Sequence, residues 1–544
     1  MLVLLALLAL SAMLYIGRLG FYSDDWSFLY TMQTKAEPSV WASMGRFIRE
    51  DLPTRPGQAI LLVALFRAYG LSPAPYHVFN TLVMALVVVL FYLALRRVGV
   101  ARLFAFPAAA LYALLPQYST DRFWIAAFQA PLSIALYLAS LLCGLEATER
   151  NSSLWGMAAL AALTGSVLSY EVAVPLMLLN AWLWWRHGGM PGRSRPVRLV
   201  SLSLLLVVAL SIYKALLTNR MEHSNGWAGY LKWLAKTAIT PFHTREHGGL
   251  NVYFAVFTNY VQDGLLLPWA VWRVAVSADA ADLWPAALVS LLAGAVLFFA
   301  TYALARSSDS AAWRQARFVA LSGLGVFALG YAIFLTNGNV QFSPTGIANR
   351  TAIAAALGVM LSLAGAAALA TRWFRSAWRP WVYSLPIGLM GACGCFVLNG
   401  LSTDWAEAYQ KQARVLRAVA AVSPDSPPGG TVLLDGVCPY TGAAPVFESS
   451  WDFSGALSLF YKTPTYLRGD IVSSRLAARA DGFHVVHYLG EEHFYPYAED
   501  LVIFRATDRT LHRIPNRDAA ESYLKRPANA NCPESMPGIG VTIF

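Results

Sequence analysis

The chain has 544 residues, 57% of them hydrophobic and 13% charged, with a mean hydropathy of +0.48, and this excludes an ordinary soluble protein. The formal net charge is +10, but the basic surplus lies in short connections between apolar runs, so it reads as membrane topology and excludes a nucleic-acid footprint.

Apolar runs approaching the roughly 20 residues that a bilayer needs predict eleven membrane helices. In chain order these are Leu2–Gly17, Tyr76–Leu95, Leu103–Leu115, Trp124–Leu145, Leu154–Tyr170, Val172–Trp185, Leu199–Leu217, Leu283–Ala305, Phe318–Leu335, Thr351–Ala370 and Trp381–Gly400. With the N-terminus inside, the five inner connections carry fourteen arginines, from Arg96 and Arg97 through to Arg375 and Arg379. Only Glu146, Glu149 and Asp309 oppose them. The first run could also pass for a signal peptide, but the odd count places the arginines consistently and favours its retention.

Directly after that run stands Phe21-Tyr22-Ser23-Asp24-Asp25-Trp26. Carboxylates where a membrane helix meets water are costly, which makes the pair a functional candidate; the plain alternative is a solvated turn with Asp24 capping a helix. The rest of the first outer loop, residues 18–75, mixes apolar and basic residues in helical rhythm at Trp41–Ile48 and Gln58–Tyr69. Pro56 is placed to open the second of these. A brief outer loop holds Asp121 and Arg122, and Glu171 lies at an outer helix junction. The long outer segment Thr218–Asp282 contains His243, Arg245 and His247, and Arg350 ends the turn-rich loop Thr336–Arg350. His77 and Asn80 read as helix-packing hydrogen bonders.

Sugar transfer at an outer membrane face needs a carboxylate to take the acceptor proton, cations to hold a lipid phosphate, and no nucleotide loop; none is present in the sequence. Asp24 and Asp25, with Asp121, are the candidate catalytic acids. Arg55, Arg350, Arg122 and Arg245 are candidate donor-phosphate ligands, with Glu171 and His243 as further candidates. No metal spacing stands out, and no cofactor is expected.

The acidic pair, two surface helices, the Arg55-Pro56 step and Pro75-Tyr76-His77-Val78-Phe79-Asn80 together resemble the GT-C superfamily of glycosyltransferases. Ser169-Tyr170-Glu171-Val172-Ala173-Val174-Pro175 is similar to a helix-junction motif of its bacterial members. The resemblance covers the layout of residues 1–400. It implies a polytopic inverting enzyme that moves a sugar from a polyprenyl-phosphate donor to a glycan, lipid or protein acceptor of the cell envelope. It also implies Asp24 as base and Asp121 as assisting acid, with the second Asp leaving Asp24 and Asp25 exchangeable, and no metal.

After Gly400 the composition turns polar. Asp404–Val422 reads as a helix leaving the membrane, Ser423–Gly430 as a linker, and residues 431–544 as a small α/β domain, extracytoplasmic by the odd span count. Cys438 and Cys532, alone in that compartment, are expected to pair. The expected whole is an α-helical polytopic membrane protein of the bacterial inner membrane with a C-terminal α/β domain. Its partners are the bilayer, the lipid-linked donor and an envelope acceptor, with no nucleic acid. Two competing readings are a transporter or flippase of a lipid-linked saccharide and a non-catalytic envelope-assembly protein. The clearest charge inside a span is Lys214, near an outer helix end, and a transporter would be expected to show more.

Overall fold

A computed structural model describes residues 1–35, 37–188, 194–222, 267–277, 280–336, 342–343, 345–423, 430–463, 466–472, 476–486 and 492–525. Leu2–Ala12 (α1), almost entirely Leu and Ala, is helical from the start. Its 11 residues rise about 16 Å, roughly half a hydrocarbon core. Turns follow to Arg18, so the expected span Leu2–Gly17 is helical only as far as Ala12.

The first outer loop folds into Asp24–Thr34 (α2), Val40–Glu50 (α3) and Pro56–Tyr69 (α4). Ser39 caps α3 by accepting the Ala42 N–H, and Pro56 opens α4, where its missing N–H costs no bond. Then come Pro73–Arg97 (α5), Arg102–Leu114 (α6), the short Thr120–Phe123 (α7), and a 3-10 turn, Ile125–Phe128, leading into Gln129–Glu149 (α8). Ser153–Ser169 (α9), Met177–Gly188 (α10), Ser194–Glu222 (α11), Leu267–Ser277 (α12) and Ala280–Ser307 (α13) continue the bundle. It closes with Ser310–Arg314 (α14), Ala316–Tyr331 (α15), Ile353–Ala370 (α16) and Arg379–Val422 (α17).

Each of the eleven expected spans overlaps a helix, though Leu2–Gly17 and Val172–Trp185 are helical only in part. Among the described residues seven helical segments are long and apolar enough to cross a membrane: Pro73–Arg97, Ile125–Glu149, Pro196–Leu217, Ala281–Ser307, Ala316–Leu335, Ile347–Trp373 and Ser376–Val422. Leu2–Ala12, Arg102–Leu114, Ser153–Ser169 and Pro56–Tyr69 are apolar but shorter. Every residue of α6 from Leu103 to Leu114 is buried, so α6 is a central element of the bundle. Helices α15 and α16 meet at backbone distance: a Cβ on Gly330 would stand 2.5 Å from Ala355, and one on Gly365 2.5 Å from Ala320. Lipid is as apolar as leucine, so close packing of this kind, more than burial, holds membrane helices together.

The helix expected over Asp404–Val422 is continuous with the last apolar run: α17 runs unbroken through Gly400 for 44 residues. A glycine inside a helix costs about 1 kcal/mol relative to alanine, and the burial of Trp405, Ala408, Gln412 and Leu416 beyond it outweighs that.

The tail comprises Thr431–Asp435 (β1), Tyr440–Thr441 (β2), Ala444–Pro445 (β3), Ser450–Phe460 (α18), Arg468–Ile471 (β4), Leu476–Ala478 (β5), Gly482–Val486 (β6), Glu492–Pro496 (β7), Leu501–Arg505 (β8), Thr510–Arg513 (β9) and Arg517–Leu524 (α19). Its main sheet runs β4-β1-β8-β9, parallel except for β9, with Leu433 beside Asp470 and Ile503. Val432-Leu433-Leu434 is buried throughout, as a strand covered on both faces must be. One face of α18 lies on β4 and another on α2, and Tyr22, Phe123, Trp405, Val446, Phe447 and Phe453 form one buried cluster across this junction. Cys143, Cys393 and Cys395 are free thiols. Cys438 lies just before β2, and its expected partner Cys532 lies outside the described residues.

Candidate active site

The acidic pair sits on a turn that treats its two members differently. Ser23 adopts φ 48°, the left-handed region that a non-glycine residue seldom occupies. From this turn Asp25 folds back. Its Oδ2 accepts the Tyr22 N–H at 2.9 Å and its Oδ1 accepts the Ala126 N–H at 2.7 Å. Burial pushes the Asp25 carboxyl up, and these backbone donors oppose the rise. Both oxygens are spent on joining α2 to the turn that opens α8.

Asp24 is half-buried, and its carboxyl makes no such backbone bonds. Burial raises it; Arg350, then Arg55, then the Trp451 indole pull it back without cancelling the rise. The indole N–H is buried and approaches Asp24 without completing a hydrogen bond.

Each of the two arginines is held by its stem and face. Arg350 lies on the 3-10 turn Ile347–Ala352, which Asn349 ties to the loop before α7 by donating to Gln117 O at 2.8 Å and accepting the Thr120 N–H at 3.3 Å. Its guanidinium sits 4.9 Å over the Trp124 ring, and Trp124 Nε1–H donates to Tyr22 O at 2.9 Å. No salt bridge holds it among the described residues. Arg55, at the start of α4, stacks 4.8 Å over Tyr170 with Nε 3.8 Å from Glu171 Oε2. Lys214 Nζ binds the other Glu171 oxygen at 2.6 Å. Burial raises the Glu171 carboxyl, but Lys214 and Arg55 outweigh it and leave it below the usual carboxylate range. Glu171 is thus an ionised tether for Arg55.

Asp121 is fully buried, and neither carboxylate oxygen has a hydrogen-bond partner. Burial pushes it well up, against Arg350 and Arg122. Arg122 itself faces away from the site. Its Nη2 donates to Ala113 O at 2.8 Å, Tyr112 O at 3.2 Å and Tyr118 Oη at 3.1 Å, while the guanidinium lies 5.2 Å from the Tyr118 ring. These carbonyls end α6, where helical C=O groups lack partners and favour a cation. Nη2 of Arg122, expected as a phosphate ligand, is thus bound to the end of α6, while its buried Nε has no hydrogen-bond partner. His77 Nε2 meets Gly20 O at 2.9 Å and Asn80 Nδ2 donates to Asp121 O at 2.7 Å, the packing roles expected of them. Arg245 and His243 lie outside the described residues.

Sequence reasoning missed Glu448. This buried residue, just before α18, accepts the Ser23 hydroxyl on Oε1 and the Tyr440 hydroxyl at 2.6 Å on Oε2. Asp452, four residues on, is spent on capping, accepting the N–H groups of Glu448 and Phe453 at 2.7 Å and Ser449 at 3.1 Å. The Ser449–Asp452 capping box marks a helix start in the sequence. Nothing local says that the helix docks 425 residues upstream of itself. Among the described residues no group of three His, Cys, Asp or Glu side chains could hold a metal.

The arrangement unites a half-buried carboxyl with two guanidiniums on a largely helical apolar body: the parts for taking a proton beside a bound anion. No family model and no curated protein matches the chain. Among solved structures it is similar to ArnT from Cupriavidus metallidurans, in the apo state (TM-score 0.35, 14% identity, 87% of this chain and 84% of that one) and bound to undecaprenyl phosphate (TM-score 0.33, 14% identity, 87% and 85%). A superposition this loose assigns neither residues nor activity.

Proposed function

We propose that the chain is an inverting GT-C-type glycosyltransferase of a bacterial inner membrane, moving a sugar from a polyprenyl-phosphate donor to an envelope glycan, lipid or protein. The observation that carries this reading is the half-buried Asp24 carboxyl lying under the charge of Arg350 and Arg55, three residues from separate elements. Asp24 takes the proton of the acceptor hydroxyl as its oxygen bonds to the anomeric carbon. The bond from that carbon to the phosphate oxygen breaks, and the polyprenyl phosphate leaves with its negative charge against the guanidiniums. A raised carboxyl pKa suits the base, because proton affinity closer to neutrality improves the transfer. Asp121, buried and under the influence of Arg350 and Arg122, is the assisting acid of this reading. Arg350 and Arg55 are the donor ligands retained from the sequence reading. The tail and the acidic loop share one side of the membrane, the outer one, in keeping with the arginine-rich connections on the other.

The test is transfer by purified protein in detergent from a polyprenyl-phosphate-linked sugar. Asp24→Asn is expected to lose about 10²–10⁴-fold in rate with its melting temperature retained. Transfer by this variant at the wild-type rate refutes the assignment.

A further inference from the structure

Resting on that reading of Asp24, we propose that Glu448 of the C-terminal domain is a positioning residue for the base: bonded to Ser23 and Tyr440, it pins the left-handed turn that aims Asp24 at Arg350 and Arg55.

The geometry is specific to this side chain. Ser23 is the residue immediately before Asp24, and it holds a backbone conformation, φ 48°, that a residue with a Cβ adopts only under constraint. Its hydroxyl donates to Glu448 Oε1, the one side chain it bonds among the described residues. The second Glu448 oxygen is fixed by Tyr440 on β2, and the Glu448 N–H by Asp452. Glu448 is therefore held within its own domain by Tyr440 and Asp452 and reaches Ser23 of the membrane-associated body. The docking surface behind it is close: a Cβ on Gly455 would stand 2.7 Å from the Trp26 carbonyl carbon and 2.8 Å from the Ser27 nitrogen. One turn of α2 is thus held from both ends, by Asp25 against Ala126 and by Ser23 against Glu448.

Charge adds a second consequence. The groups facing Asp24 are Arg350 from its 3-10 turn, Arg55 from the start of α4, Trp451 from α18, and Asp25 and Glu448 as like charges. Those facing Glu448 are the Ser23 and Tyr440 hydroxyls, Asp24, Arg350 and Asp452. Burial raises the Glu448 carboxyl, the Ser23 and Tyr440 hydroxyls that donate to it oppose the rise, and Asp24 adds to it. Replacing Glu448 by Gln keeps an oxygen for Ser23 and removes a titratable group beside Asp24.

Three variants test this on full-length protein. Hydrogen exchange over residues 21–28 reads the pin without any turnover. Glu448→Ala and Ser23→Ala are expected to speed exchange there about tenfold or more, and Glu448→Gln to leave it within about threefold. In the transfer assay Glu448→Ala and Ser23→Ala each lower kcat about 10- to 100-fold with the donor KM unchanged, as a misplaced group does. The double variant falls no further, because both remove the same contact. Glu448→Gln, which keeps an acceptor oxygen for Ser23, keeps kcat. Unchanged exchange in Glu448→Ala overturns the pin, as do additive losses in kcat or a Glu448→Gln variant that loses kcat as Glu448→Ala does. Altered exchange in a protein that transfers no sugar would retain the pin and remove the proposed function instead.

Discussion

Adjacent aspartates that look interchangeable in sequence should respond to substitution in opposite ways. Asp25 is 3% exposed and accepts two backbone N–H bonds, at 2.9 Å from Tyr22 and 2.7 Å from Ala126. A hydrogen bond to a charged group contributes about 1.5–3 kcal/mol. Asp25→Ala removes both and strands two N–H groups, so the expected loss is about 3–6 kcal/mol, a large part of a typical 5–15 kcal/mol stability. Asp25→Asn retains one acceptor oxygen and turns its NH₂ toward the other N–H, for a loss of about 1.5–3 kcal/mol. Asp24→Asn strands no backbone donor, and its stability is expected to hold. The assay pairs thermal unfolding in detergent with turnover per folded molecule. The expected pattern is a stable, inactive Asp24→Asn beside a less stable Asp25→Asn whose folded fraction still turns over. An Asp25→Asn protein that melts like wild type and has lost turnover would refute the reasoning and make Asp25 the base.

Arg350→Ala is expected to raise the donor KM. Because Arg350 is the largest influence holding the raised Asp24 carboxyl down, its removal should also move the acid limb of the rate profile to higher pH; an acid limb that stays put or moves down contradicts the assignment. Gly455→Val places a side chain against the backbone of Trp26 and Ser27, which cannot yield as a flexible side chain would. It should cost about 1–3 kcal/mol and lower kcat together with amide protection in α2, so loss of stability with kcat intact would separate domain docking from the site.

The amino-acid sequence by itself determined the helices, because a run of Leu, Ala and Val commits its backbone locally whatever it packs against. It also located the acidic turn at the end of the first apolar run, and Arg55 and Arg350 as candidate cations for the site. In the tail it gave a mixed α/β composition, while the two-residue β2 and β3 exist only as a pair and carry no local pattern. Tertiary structure decided the division of labour. Asp24 and Asp25 have the same chemistry, and only the arrival of the Ala126 N–H, about a hundred residues away, makes one of them structural. Arg122 reads as a free cation until the end of α6 supplies the carbonyls that bind it, and Glu171 reads as a candidate acid until Lys214 and Arg55 neutralise it. Glu448 carries no signal at all: its place beside Asp24 depends on α18 docking through Gly455, a contact between surfaces more than four hundred residues apart. Local propensity is written residue by residue, whereas a carboxylate's role depends on which donors and cations the folded chain brings to it.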